Sequence, residues 1–163
     1  MRDSQIRFIR QLGFTGTQFS DTFYTALMLQ PRVVASVVTI GVLFQSAWAF
    51  LGLSAALWLS TLVPSLNPFD ALYNHFVGYP RTLRLLTTPP APRRFAQGMA
   101  GSVALVIGVA LLAGVAIVAW VFEGMLFVAS MAVVFRDSCA GADAYYLLLR
   151  IISAASGTWR TTR

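Results

Sequence analysis

Two long apolar blocks constrain this chain more than any motif does. Val33 to Val63, VVASVVTIGVLFQSAWAFLGLSAALWLSTLV, runs thirty-one residues without a charge, and Phe95 to Phe135 runs forty-one with only Glu123. Stretches of that length offer no charged face to water and belong in lipid. Composition agrees: 57% of residues are hydrophobic and 11% charged, where soluble domains carry about 25% charge. The mean hydropathy is +0.70. The fold class implied is all-α, an integral membrane bundle forming one compact module.

All twelve basic residues are arginine, and every one lies outside the blocks. They sit in an N-terminal arm (Arg2, Arg7, Arg10, Arg32), a central loop (Arg81, Arg84, Arg93, Arg94) and a C-terminal part (Arg136, Arg150, Arg160, Arg163). The net charge of +6 therefore reads as membrane topology and not as a nucleic-acid surface. Short loops rich in arginine stay cytoplasmic, so three such regions on one side require each block to cross an even number of times. A single helix over the first block would be about 46 Å long, beyond a hydrocarbon core of about 30 Å, and would set Arg32 and the central arginines on opposite faces. Four transmembrane helices as two hairpins satisfy both conditions, with short interfacial helices beside them; two long or re-entrant spans are the alternative.

The turns are expected near Gln45, Ser46 and Trp48 and near Gly114. Each leg of the first hairpin has only about fifteen residues, roughly 22 Å, so it must borrow from FYTALMLQ despite Pro31, or the bilayer must thin. The divisions that follow are an arm over 1–32, a first hairpin over 33–63, a cytoplasmic connector over 64–94, a second hairpin over 95–135 and a C-terminal helix and tail over 136–163. PRVVAS (31–36) and PRRFAQ (92–97) open the two blocks, and DALY (70–73) and DAYY (143–146) follow them, the pattern of a parallel repeat. Each repeat unit is then a hairpin plus a short helix, and the prolines of YPRTLRLLTTPPAPRR (79–94) argue against helix beyond the first of them. The N-terminal arm lacks the pattern of a secretory signal; Ile6, Phe8, Ile9 and Leu12 suit a segment along the headgroups, and a solvated arm ordered by a partner is the alternative. Asp143 is positioned to cap a helix from Ala144 that Gly157 closes.

Few residues carry chemistry. Glu123 lies inside the last span, where a charge costs at least about 2.5 kcal/mol, so it has to be neutralised or hydrogen-bonded to a neighbouring helix, a partner or the far interface. His75 is a weak candidate for holding a porphyrin-type pigment and suits a headgroup role better. No catalytic set, metal cluster or phosphate-binding loop is legible, so neither an enzyme nor a cofactor of its own is expected, with contact limited to lipid or pigment. Gly101, Ala104 and Gly108 form a small-residue stripe, and Gly98 and Ser102 a second close-approach pair, for helix packing inside the bundle or against a partner.

PPAPRRFAQGMA (89–100), ahead of a hairpin ending in DSCAGADAYYLLLR (137–150), resembles the bacterial integral-membrane family known as domain of unknown function 4395. The resemblance covers roughly residues 31–150 and implies four helices in the cytoplasmic (inner) membrane, with both termini cytoplasmic on the arginine argument. The family pattern implies cysteines at positions 139 and 142; here they are Cys139 and Ala142. A lone thiol has no intramolecular partner to resolve a disulfide cycle. The expectation is a non-catalytic accessory or scaffold subunit that meets lipids and other membrane subunits, of an energy-converting complex for example. A membrane thiol-redox or sulfur-transfer component is the alternative.

Overall fold

The computed structural model describes residues 2–15, 20–77 and 89–155; the side chains of residues 70, 74–77 and 155 lie outside that description. Among the described residues the secondary structure is helical, with no strand: α1 (Asp3–Gln11), α2 (Asp21–Phe44), α3 (Ala47–Leu62), a 3-10 turn (Pro64–Leu66), α4 (Pro68–Val77), α5 (Ala91–Leu112), α6 (Ala116–Arg136) and α7 (Ala140–Ala155). Three of these, α2, α5 and α6, are long and apolar enough to cross a membrane, and α3 is a shorter apolar helix of 16 residues. The chain is a membrane protein by that measure.

The ends of the long helices follow from local chemistry. Ser20 caps α2, its Oγ accepting from the Phe23 N–H at 3.2 Å, and Asp21 favours the positive end of the helix dipole. The helix then runs straight through Pro31, so it starts well ahead of the apolar block and takes much of the segment read as the N-terminal arm. Its 24 residues amount to about 36 Å, which removes the shortfall of that leg. Gln45 ends α2 in the left-handed region (φ 47°), and Ser46 accepts from Ala49 N–H to open α3. Gly114, at φ +71°, makes the corresponding turn between α5 and α6, a conformation that glycine adopts without strain.

The short helix expected after the first hairpin is α4, and the end of the connector is more helical than its prolines suggest. Asn67 opens α4 by accepting the Phe69 N–H and the Ser60 hydroxyl at 3.0 Å each. Pro92 falls in the first turn of α5, where a missing N–H costs nothing, so Arg93 and Arg94 belong to the helix. Residues 78–88 lie outside the described residues. The last helix starts at Ala140, ahead of the expected Ala144, because the Cys139 carbonyl accepts from the N–H groups of Ala142 and Asp143. Asp143 does not cap it; its carboxylate is held by Gln11 Nε2 at 2.6 Å. Gly157 lies outside the described residues.

Two apolar clusters form the core. One gathers Val34, Val38, Phe50, Leu53, Leu57, Ala104, Ile107 and Leu126 between α2, α3, α5 and α6, with Phe69 from α4. The other joins Phe8 and Ile9 of α1 and Leu12 just after it to Phe23, Tyr24, Leu27 and Met28 of α2, Tyr73 of α4 and Ala142 of α7. Three of the four residues expected along the headgroups are therefore packed against protein, and Ile6 is half-buried. The reason is polar as well as apolar: Ser4 Oγ and the Tyr24 hydroxyl both donate to Asp137, just past α6, while Gln11 bonds Cys139 on both its N–H and C=O. The Gln11 bonds satisfy backbone groups just ahead of α7.

The small-residue stripe faces α3 within the same chain. A Cβ on Gly101 would lie 3.2 Å from Leu57 Cβ, and one on Gly108 would lie 2.7 Å from Leu51 Cγ. Ala104 between them is fully buried. Gly98 faces Thr61 more loosely, at 3.4 Å, whereas Ser102 is exposed and its hydroxyl bonds back to the Gly98 carbonyl.

Candidate functional site

Polar side chains are scarce in the interior, and three of them meet. Gln30 on α2 and Arg93 and Gln97 on α5 are at most 7% exposed. Arg93 and Gln97 are four residues apart and share one face of the helix, which brings both to Gln30. Arg93 Nη2 donates to Gln30 Oε1 at 3.0 Å, and Gln97 Nε2 donates to the same oxygen at 2.9 Å.

This cluster borders a cavity of about 370 Å³ between α2, α5 and α6. Phe8 of α1, Leu12 just after it and Cys139 just before α7 lie at the same end as the polar cluster, and the remaining wall is apolar apart from Ser130, with Val34, Ala100, Val103, Leu126 and Ala129. Gly141 brings α7 close to α5, since a Cβ there would fall 2.7 Å from Ala96 Cβ. Its dimensions and composition match a site for a small apolar ligand oriented by a few polar groups.

The nucleophiles at its edge are quiet. Ser130 Oγ donates to the Phe127 carbonyl at 2.9 Å. Burial pushes the Cys139 thiol up, which outweighs the lowering by the Ala142 and Gly141 N–H groups, and Asp143 adds to the rise. A thiol in that state is a poor nucleophile at neutral pH. Its proton is held more tightly in the fold than in the unfolded chain, so its contribution to stability is complete below the ordinary thiol pKa and declines as pH rises through the shifted value. Alkylation of Cys139 by iodoacetamide should accordingly be slower than in urea at the same pH and should reach half its maximal rate at a more alkaline pH. A native profile that overlays the unfolded one would contradict the burial.

Glu123 lies elsewhere, about 10 Å along α6 from its first residue at 1.5 Å per residue. It is buried, and its Oε2 accepts from Gln45 Nε2 at 3.1 Å. The partner is thus the turn between α2 and α3, within the chain. The side chain of His75 lies outside the described residues. Among the described residues no three His, Cys, Asp or Glu side chains gather in one place. The site residues missed from sequence are Gln30, Arg93 and Gln97; the signal available was the four-residue spacing of Arg93 and Gln97, masked by reading Arg93 as connector.

The family described as Domain of unknown function (DUF4395) matches residues 25–150. The chain belongs to this family. The matched region of this DUF4395 chain starts inside α2 and ends inside α7, so it contains the polar cluster and most of the cavity wall, while α1 precedes it. No curated protein and no solved structure matches the chain.

Proposed function

We propose that this DUF4395 chain is a non-catalytic accessory or scaffold subunit of a larger membrane complex, such as an energy-converting one. We place it in the bacterial cytoplasmic (inner) membrane, crossing four times as two hairpins, with both termini and the connector on the cytoplasmic side. The arrangement of charge supports the topology. Arg93, Arg94 and Arg136 lie at the helix ends remote from the Gln45 and Gly114 turns, whereas Arg32 lies midway along α2, about 20 Å from Gln45, and Arg94 Nη2 bonds the Thr61 carbonyl at 2.9 Å where α3 ends and α5 begins. The 16 residues of α3 give about 24 Å, which local bilayer thinning accommodates.

The observation that carries the subunit reading is the uncovered face of α6. Ile117, Val121, Val128 and Phe135 are each more than 60% exposed and recur at helical spacing. In their midst a Cβ on Gly124 would meet nothing within 4 Å. A notch of this kind lets a second helix approach closely, which lipid chains alone do not require. The thiol alternative draws less support, because Cys139 is partly buried and its thiolate is disfavoured.

Gly124→Leu fills the notch without touching the bundle. The expected result is an unchanged thermal midpoint in detergent together with loss of co-migration on native gels, the interface losing about 1–3 kcal/mol to overpacking. Undiminished co-migration with a partner would mean that this face does not carry the contact.

A further inference from the structure

The hydrogen bonds around Gln30 fix the orientation of its neighbour. A guanidinium only donates, so the Gln30 atom facing Arg93 Nη2 is the oxygen, and the Gln97 atom that meets the same oxygen must be the amide nitrogen. Gln97 Oε1 is then the atom left over. It is buried without a hydrogen-bond partner, on a side chain only 5% exposed, at the polar end of the cavity. A buried acceptor in that position favours any molecule that brings it a donor.

The rest of the cavity defines that molecule. Gln97, Ala100 and Val103 line it along one face of α5, and Leu126 and Ala129 line it from α6; beyond Gln97 the polar side chain on these two helices is Ser130, whose hydroxyl is taken up by the Phe127 carbonyl. Arg93 to Val103 covers about 15 Å along the helix, enough for the first part of an alkyl chain but not for a bulky polar group. Met99 and Met125, 39% and 52% exposed, also border the cavity and give it an outlet on the outer surface of α5 and α6. Methionine adapts its shape to what passes. The polar end lies at the arginine-bearing end of the bundle, so a membrane amphiphile entering laterally has its head and chain in the natural order.

We propose that the cavity binds a single-chain amphiphile whose neutral, hydroxyl-bearing head donates a hydrogen bond to Gln97 Oε1 while its chain lies between α5 and α6. Monoacyl lipids, long-chain alcohols and protonated fatty acids share this chemistry. The site is independent of the α6 face, so it stands or falls apart from the subunit reading.

The test uses the full chain in detergent and native mass spectrometry with three probes: hexadecanol, hexadecyl methyl ether, which accepts but cannot donate, and hexadecanoate at alkaline pH. Hexadecanol should bind about tenfold more tightly than the ether, the discrimination expected of one hydrogen bond to a buried acceptor. Gln97→Leu should bring the two to parity, and Ala129→Phe should weaken both by occupying the chain channel. Equal binding of alcohol and ether by the unaltered protein would overturn the proposal, and that comparison needs no variant to fold. Tighter binding of hexadecanoate than of the alcohol would also overturn it, by showing that Arg93 and not Gln97 selects the head. To separate natural sources, lipid extracted from the purified protein would be resolved into monoacyl lipid, alcohol and fatty acid. Recovery of any of them in proportion to protein supports the site, and recovery of diacyl phospholipid alone contradicts it.

Discussion

Gly108→Leu should strongly destabilise the bundle and lower its thermal midpoint. The added Cβ would sit 2.7 Å from Leu51 Cγ and 3.2 Å from the Ala47 carbonyl oxygen. Leu51 can rotate away, but the carbonyl is backbone at the first turn of α3 and moves only with its helix. Overpacking costs about 1–3 kcal/mol when side chains can adjust, and separating α3 from α5 also loosens Phe50, Leu53, Leu57 and Ile107, which are all buried nearby. Against a total stability of about 5–15 kcal/mol, the expected cost of 3 kcal/mol or more is a large share. Gly52→Leu is the matched comparison, since a Cβ there meets nothing within 4 Å. It should be neutral or slightly stabilising, because leucine is the better helix former by roughly 0.5–1 kcal/mol. Thermal unfolding in detergent should separate the two variants clearly; similar midpoints would mean that α3 and α5 do not pack through this stripe.

Phe8→Ala should release α1 from the bundle. Phe8 is 1% exposed and meets Tyr24 edge-on, with ring centroids 6.4 Å apart. Truncating a buried phenylalanine costs about 3–5 kcal/mol. A nine-residue helix is too short to persist without tertiary support. Limited proteolysis should then cut near Arg7 and Arg10, and Cys139 should alkylate faster at fixed pH, since Gln11 no longer holds its backbone. The transmembrane part should stay folded, because the cluster between α2, α3, α5 and α6 contains no α1 residue. An arm that merely follows the headgroups would give no change at Cys139.

Much of this architecture was legible because lipid imposes simple rules. The turns at Gln45 and Gly114 stood out as polar or flexible residues inside apolar blocks, and Arg93, Arg94 and Arg136 marked the ends of α5 and α6. What escaped depended on three-dimensional company. Pro31 reads as a break, yet α2 passes through it, because a proline removes one hydrogen bond and Ser20 and Asp21 supply a strong start further back. Arg93 reads as a solvated connector residue, since nothing in the local sequence reveals that Gln30, sixty-three residues earlier, will meet it. Asp143 reads as a cap, but Gln11 claims its carboxylate. The stripe on α5 was visible as a packing surface; only the position of α3 shows which helix it serves. Glu123 demanded a partner, and the one it found, Gln45, is a residue whose polarity suggested a turn.

Side-specific labelling tests the account most directly. In a Cys139→Ser background, single cysteines at Ala113, Thr87 and Thr162 would be treated in intact cells with a membrane-impermeant maleimide. Four crossings with the arginine-bearing regions inside predict labelling at position 113 alone, with 87 and 162 reacting only after the cells are opened. Labelling at 87 in intact cells, with 162 protected, would place the connector and the C-terminus on opposite sides and contradict the two-hairpin arrangement.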